Sequence, residues 1–216
     1  MSKSPSQRKT LHEWVGVAGK KEVMLTIAYV DIVGSTQLLN QLGNERMEQW
    51  ALEPFFAQAQ RLCKRYDGFI VKRIGDAVLV AFRTPTDGLD FLLAFLANPG
   101  RDILALRAGM DVGQVILKEN DVTGQAVHYA ARLEAIAEAS TVLMSDRAQV
   151  DIRDYRAARH DHLLFNPKSC PVRGFEGDHH TLWSVECPHR RPPLLAVPAA
   201  KSEMDETSTN GVVHLS

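Results

Sequence analysis

Cysteine is scarce in this chain of 216 residues. Cys63, Cys170 and Cys187 are unevenly spaced, with no metal-like pairing. That argues against a disulfide framework or a thiolate metal site and leaves free thiols suited to a reducing cytosol. An excess of either charge is lacking too: 25 Lys and Arg stand against 26 Asp and Glu, for a net charge of −1. Nothing suggests broad attraction to nucleic acid or to a membrane surface. No run approaches the roughly 18 apolar residues needed to span a bilayer. The N-terminus, MSKSPSQRKT, is polar and lacks the apolar core of a signal peptide. The expectation is a cytoplasmic protein with no membrane and no nucleic-acid partner.

What remains is an ordinary globular composition, 45% hydrophobic and 24% charged. The length suits one domain with a real core plus tails. No internal repeat is visible. Residues 1–20 read as an N-terminal segment, disordered over 1–10, with Leu11 to Val17 as a short packing stretch. From Cys187 onward the composition shifts. Pro188, Pro192, Pro193 and Pro198 sit among small and polar residues, which predicts a flexible tail over 188–216. The folded unit is expected at 21–187.

Leu25 to Val30 (LTIAYV) reads as an apolar strand running into Asp31, and Ser35 or Thr36 can cap the helix that follows. A long helical region spans about 35–66, broken at Gly43-Asn44 and kinked or broken at Pro54. Its second part places Met47, Trp50, Ala51, Phe55, Ala59 and Leu62 on one face. FIVKRI (69–74) and AVLVAF (77–82), separated only by Gly75-Asp76, predict a β-hairpin. A helix at about 86–97 and a strand from Ala105 to Leu117 come next. Asp121 is then expected to open a helix reaching about Glu138. The remainder predicts a strand at Thr141–Met144, a helix at about 146–152 and strands near 162–165 and 180–185. The fold class is α+β: a ferredoxin-like βαββαβ core on an antiparallel sheet, with a C-terminal α/β extension.

Several residues could carry chemistry. An Asp closing a strand beside loop amides and a helix N-terminus can hold Mg²⁺ and the phosphates it carries. It is also a common turn residue, and so is Asp76. In a ferredoxin-like sheet the first strand's end and the next hairpin's turn can lie side by side. Asp31 and Asp76 could then form a carboxylate pair for two cations. Lys72, amid apolar strand residues, is either edge decoration or a donor to a ligand. In the helix after Asp121, Ala126, Tyr129, Ala130, Leu133 and Ala137 share one face, while His128 and Arg132 share another.

YVDIVGST, KRIGDA and DVTGQAVHYAAR, in this order and at these separations, resemble the signature segments of class III nucleotidyl cyclases, the adenylyl and guanylyl cyclases. RAGMDVGQV, just before the third, matches that family's Arg-x-Gly-x-x-x-Gly strand. The resemblance covers about residues 23–186.

It implies a homodimer that converts a nucleoside triphosphate to the 3′,5′-cyclic nucleotide and pyrophosphate, using two Mg²⁺ or Mn²⁺ ions per site. It implies Asp31 and Asp76 as metal ligands, and Lys72 and Asp121 as readers of the base. It also implies Arg132 as the transition-state arginine. His128 stands where the family pattern has an asparagine that orients the ribose, and imidazole is bulkier and titratable. Arg173, in PVRGFEG, is a candidate cation for the triphosphate. A carboxylate facing the exocyclic amine favours adenine, because guanine offers a carbonyl there. The family also includes small bacterial members that make cyclic pyrimidine nucleotides in antiviral defence, and UTP or CTP remains an alternative substrate. A silent nucleotide-binding or dimerisation subunit is the rival from another class. A polymerase-like palm shares the sheet and carboxylates but lacks a basic template surface here.

Overall fold

The computed structural model describes residues 10–16, 22–155, 160–175 and 181–187. Of the disorder expected over residues 1–10, residues 1–9 lie outside them and Thr10 is ordered, and the expected tail at 188–216 also lies outside them. The chain begins with α1 (Leu11–Val15), closed at its N-terminus by a reciprocal capping box between Thr10 and Glu13. β1 (Glu22–Ile32) leads into α2 (Ser35–Arg46), a π-helical stretch (Met47–Leu52) and α3 (Glu53–Arg65). The hairpin β2 (Phe69–Ile74) and β3 (Ala77–Phe82) follows, then α4 (Pro85–Ala97) and β4 (Leu106–Leu117). The rest is β5 (Val122–Thr123), α5 (Gln125–Ile136), β6 (Thr141–Ser145), α6 (Asp146–Tyr155), β7 (Asn166–Lys168) and β8 (Leu182–Glu186).

The sheet order is β2-β3-β1-β4-β6-β8-β7, with β5 paired to β4. The first four strands form the antiparallel ferredoxin-like core, and β6 adds to it parallel to β4. The hairpin has its expected boundaries, with Gly75 at φ 59° in the turn.

Strand alternation sends β1 residues to two different layers. Ala28, Val30 and Ile32 join the core beneath α3, α4 and α6. Leu25 and Ile27, with Tyr29 beside them, pack toward α1 and α5. The predicted stripe on the α3 side is buried at Met47, Ala51, Phe55, Ala59 and Leu62, with Trp50 partly buried.

α5 lies close on β4, and the glycines of β4 make that possible. A Cβ at Gly109 would sit 2.1 Å from the Glu134 backbone N and 2.2 Å from the Ala130 O. One at Gly113 would sit 2.9 Å from the Ala126 Cβ. The Arg-x-Gly-x-x-x-Gly spacing is therefore a packing groove for α5.

Four expectations need correction. The N-cap of α2 is Gly34 (φ 72°), with no side-chain cap from Ser35 or Thr36. The region 35–66 does break at Gly43 as expected, where the backbone leaves the helix (φ 74°, ψ 168°), but the π-helical stretch at Met47–Leu52 is unexpected, and Pro54 sits in the first turn of α3, directly after it. Asp121 does not open a helix. The Lys118 N–H donates to the Asp121 carbonyl at 2.8 Å, closing a tight turn that lets Val122–Thr123 pair back onto β4. α5 starts only at Gln125. Finally, the strand expected near 162–165 lies at 166–168. His160 and Leu163 are buried just before it and hold that stretch as a turn.

Candidate functional site

Asp31 stands one residue before the end of β1, and its two cross-strand partners are Ala77 and Arg107. Asp76, in the hairpin turn beside Ala77, thus comes against Asp31, close enough for their carboxyls to interact. Burial raises the Asp31 pKa above the usual carboxylate range. The Asp76 charge adds to that, and Arg107 opposes it. Two facing carboxylates offer hard oxygen donors, which suit Mg²⁺ or Mn²⁺. Among the described residues there is no group of three or more His, Cys, Asp or Glu side chains that could hold a metal, so the candidate donor set is this pair.

The same corner holds two residues to which sequence reasoning assigned no role. Arg107 Nη2 donates to Asp31 Oδ2 at 2.8 Å, and its Nε faces Glu134 Oε1 at 2.7 Å. Burial, then the Asp31 charge, raises Glu134 to about 7, against the pull of Arg107. A signal for both existed. Arg107 is the arginine of RAGMDVGQV, and Glu134 lies two residues after Arg132.

Lys72 and Asp121, 49 residues apart, meet as an ion pair: Lys72 Nζ donates to Asp121 Oδ2 at 2.7 Å. The Val122 N–H donates to the other oxygen at 2.8 Å. Burial pushes the Asp121 pKa up, but these bonds and the lysine charge outweigh it and hold the carboxyl below its usual range. Tyr29 senses both clusters. Its hydroxyl is raised by burial first, then by the charges of Asp121 and Glu134.

His128 and Arg132 lie exposed on the outer face of α5, away from its buried Ala126, Ala130 and Leu133. Arg173 is exposed in a turn closed by the Phe175 N–H to Val172 O bond at 2.9 Å. That turn docks on α5 through Phe175 and Tyr129, whose rings lie 4.7 Å apart edge to face. The structure therefore brings Asp31 to Asp76 and Lys72 to Asp121, and leaves the His128/Arg132 face open.

A family profile, the adenylate and guanylate cyclase catalytic domain, matches residues 17–182. The chain belongs to this family. An adenylate cyclase of Glutamicibacter nicotianae is 31% identical over 119 residues, covering 54% of this chain and 29% of that protein. An adenylate cyclase of Streptomyces coelicolor (strain ATCC BAA-471 / A3(2) / M145) is 30% identical over 133 residues, covering 59% of this chain and 35% of that protein. The chain spans less than half the length of the curated relatives it matches.

Among solved structures, the catalytic core of a rhodopsin-guanylyl cyclase with converted specificity, in complex with ATPalphaS, superposes with TM-score 0.67 at 20% identity. That match covers 78% of this chain and 98% of the other. The adenylyl cyclase CyaB from P. aeruginosa gives TM-score 0.62 at 22% identity, covering 76% and 94%. The α+β fold is that of the family's catalytic domains. No helix among the described residues is long and apolar enough to cross a membrane.

Proposed function

We propose that this cyclase-family domain converts a nucleoside triphosphate, preferentially ATP, to the 3′,5′-cyclic monophosphate and pyrophosphate. The observation that carries the reading is the Asp31/Asp76 pair at the end of β1, within a fold of this family. Asp31 and Asp76 would hold divalent cations, which when bound would make the ribose 3′-hydroxyl more acidic and offset the charge of the phosphates. The 3′-oxygen forms a bond to the α-phosphorus, the bond to the pyrophosphate oxygen breaks, and the proton leaves to solvent. Arg132 stabilises charge developing on the phosphate. No protein nucleophile is required.

Lys72 and Asp121 read the base. Asp121 accepts from the exocyclic amine of adenine, and Lys72 donates to a ring nitrogen. Their mutual ion pair orients both groups before substrate arrives, which supports this role. His128 contacts the ribose in place of an amide, and Arg173 contacts the triphosphate.

The working unit is a homodimer with two composite sites. One protomer supplies Asp31 and Asp76, and its partner supplies Lys72, Asp121, His128 and Arg132. The open His128/Arg132 face of α5 supports this arrangement. The tight turn between β4 and β5 stands as a shortened dimerisation arm.

The test is incubation of the purified protein with Mn²⁺ and equal ATP, GTP, CTP and UTP, with products identified by mass spectrometry. Cyclic AMP is expected. A cyclic pyrimidine product would keep the reaction class and overturn the base reading. No cyclic product at any concentration that supports dimers would overturn the enzyme.

A further inference from the structure

We infer that Arg107 and Glu134 form a charge-compensated clamp on Asp31, in which Arg107 orients the carboxylate and Glu134 cancels the arginine's charge so that a cation can still bind there. The inference deepens the proposed metal site and rests on that reading of Asp31.

The geometry comes from three elements. Arg107 of β4 is the direct cross-strand partner of Asp31 on β1. Its Nη2 and Nε reach the same oxygen, Asp31 Oδ2, at 2.8 and 3.2 Å. That two-point grip fixes the carboxylate as a single bond from a lysine would not. Glu134, on α5, faces Arg107 Nε at 2.7 Å, and Arg107 Nη1 donates to the Ala135 carbonyl at 3.4 Å. The arginine is thus anchored on the helix and points its fork at the strand. All three side chains are largely shielded, with Asp31 at 15%, Glu134 at 13% and Arg107 at 32% exposure, so their charges are felt strongly.

An arginine alone beside Asp31 would repel the very ion that Asp31 is proposed to bind. Paired with ionised Glu134, above about pH 7, it is nearly neutral as a unit, and its hydrogen-bonding geometry is retained. The clamp also joins Asp31 to α5, the helix that carries His128 and Arg132. In the proposed dimer those two residues serve the other site, so the clamp connects a group of one site to a helix of its neighbour.

The prediction is a pair of opposite shifts. Mn²⁺ binding to the full chain is measured at about pH 8.5, where Glu134 is ionised, by the loss of the free-ion electron paramagnetic resonance signal. Arg107→Gln leaves Glu134 uncompensated and tightens Mn²⁺ binding by about fivefold, whereas Glu134→Gln leaves Arg107 uncompensated and weakens it by about fivefold. The double variant Arg107→Gln/Glu134→Gln returns close to wild type. Arg107→Lys keeps the charge balance and the affinity but lowers turnover by about tenfold, because the fork is lost.

Shifts of the same sign, or no shift in either single variant, would overturn the clamp while leaving the metal reading intact. A wild-type protein that binds no Mn²⁺ would overturn both. A residue that merely held the fold would change the melting temperature without these opposed affinities. If one single variant fails to fold, the other decides: a shift in its stated direction that the double variant cancels supports compensation, and no shift or the opposite sign overturns it.

Discussion

The two faces of β1 carry opposite kinds of residue. Toward α3 and α4 the strand presents Ala28, Val30 and Ile32, all essentially inaccessible to solvent. They meet a cluster of stacked and tilted phenylalanines, with Phe55–Phe95 at 4.9 Å, Phe82–Phe91 at 5.1 Å and Phe91–Phe95 at 5.5 Å. Toward α5 the strand starts apolar, at Leu25 and Ile27, and turns polar at Tyr29 and Asp31. One layer is bulk apolar packing. The other gives up part of its packing, near the end of the strand, to charged groups that partly satisfy one another. A single strand can therefore be held rigid from one side and carry chemistry on the other.

The comparison can be broken by substitution. Phe95→Ala removes a fully buried ring from the apolar layer and should cost about 3–5 kcal/mol in urea unfolding. Activity per folded molecule should stay near wild type, and a large loss would mean that the layers are not separable. Asp31→Ala should do the reverse, lowering turnover by about 100-fold or more with the dimer intact by sedimentation. Retention of more than about a few per cent of activity would sink the metal assignment. Mixing Asp31→Ala with Arg132→Ala should recover roughly a quarter of wild-type activity, because half the dimers are mixed and each has one intact site. No recovery would argue against sites shared between protomers.

Smaller effects sharpen the contrast. Asp121→Asn replaces an acceptor-only group with one that can also donate to guanine, so the GTP-to-ATP ratio of turnover should rise by about tenfold. An unchanged ratio would remove Asp121 from base reading. Glu134 gives a pH signature confined to the polar layer. Its folded pKa of about 7 lies above the ordinary 4.5, so the folded protein binds this proton more tightly than the unfolded chain does. The stability it contributes is present below about pH 4.5 and is lost as pH rises through about 7. Urea unfolding in chelator across that window should show a decline of about 3 kcal/mol, absent in Glu134→Gln.

The apolar layer was legible because its signals are local. The stripe through Met47, Phe55 and Leu62, and the Gly75-Asp76 hairpin, follow from periodicity and turn chemistry over short spans. The pairing of Asp31 with Asp76 was legible only through topology, by asking where a strand end and a hairpin turn meet. The Arg107–Glu134 contact was not, because nothing in the residues alone says which charged side chain a helix will set against which strand. The turn at Asp121 misled for a related reason. An Asp before a periodic segment reads as a helix cap, but here its carboxylate bonds Lys72 and the Val122 N–H, and a two-residue strand intervenes before α5.

The placement of β1 at the centre of the sheet also governs when the protein can fold. Its partners arrive late in the chain: Asp31 pairs with Ala77 on one side and Arg107 on the other. Closing such distant pairings is entropically slow, and folding rates fall as sequence separation grows. During synthesis one edge of β1 can pair as soon as β3 has emerged, while the other stays open until β4 leaves the ribosome. The carboxylate proposed to bind metal thus acquires its setting only when β4 has paired, so the site can serve as a reporter that the four-stranded centre of the sheet has closed.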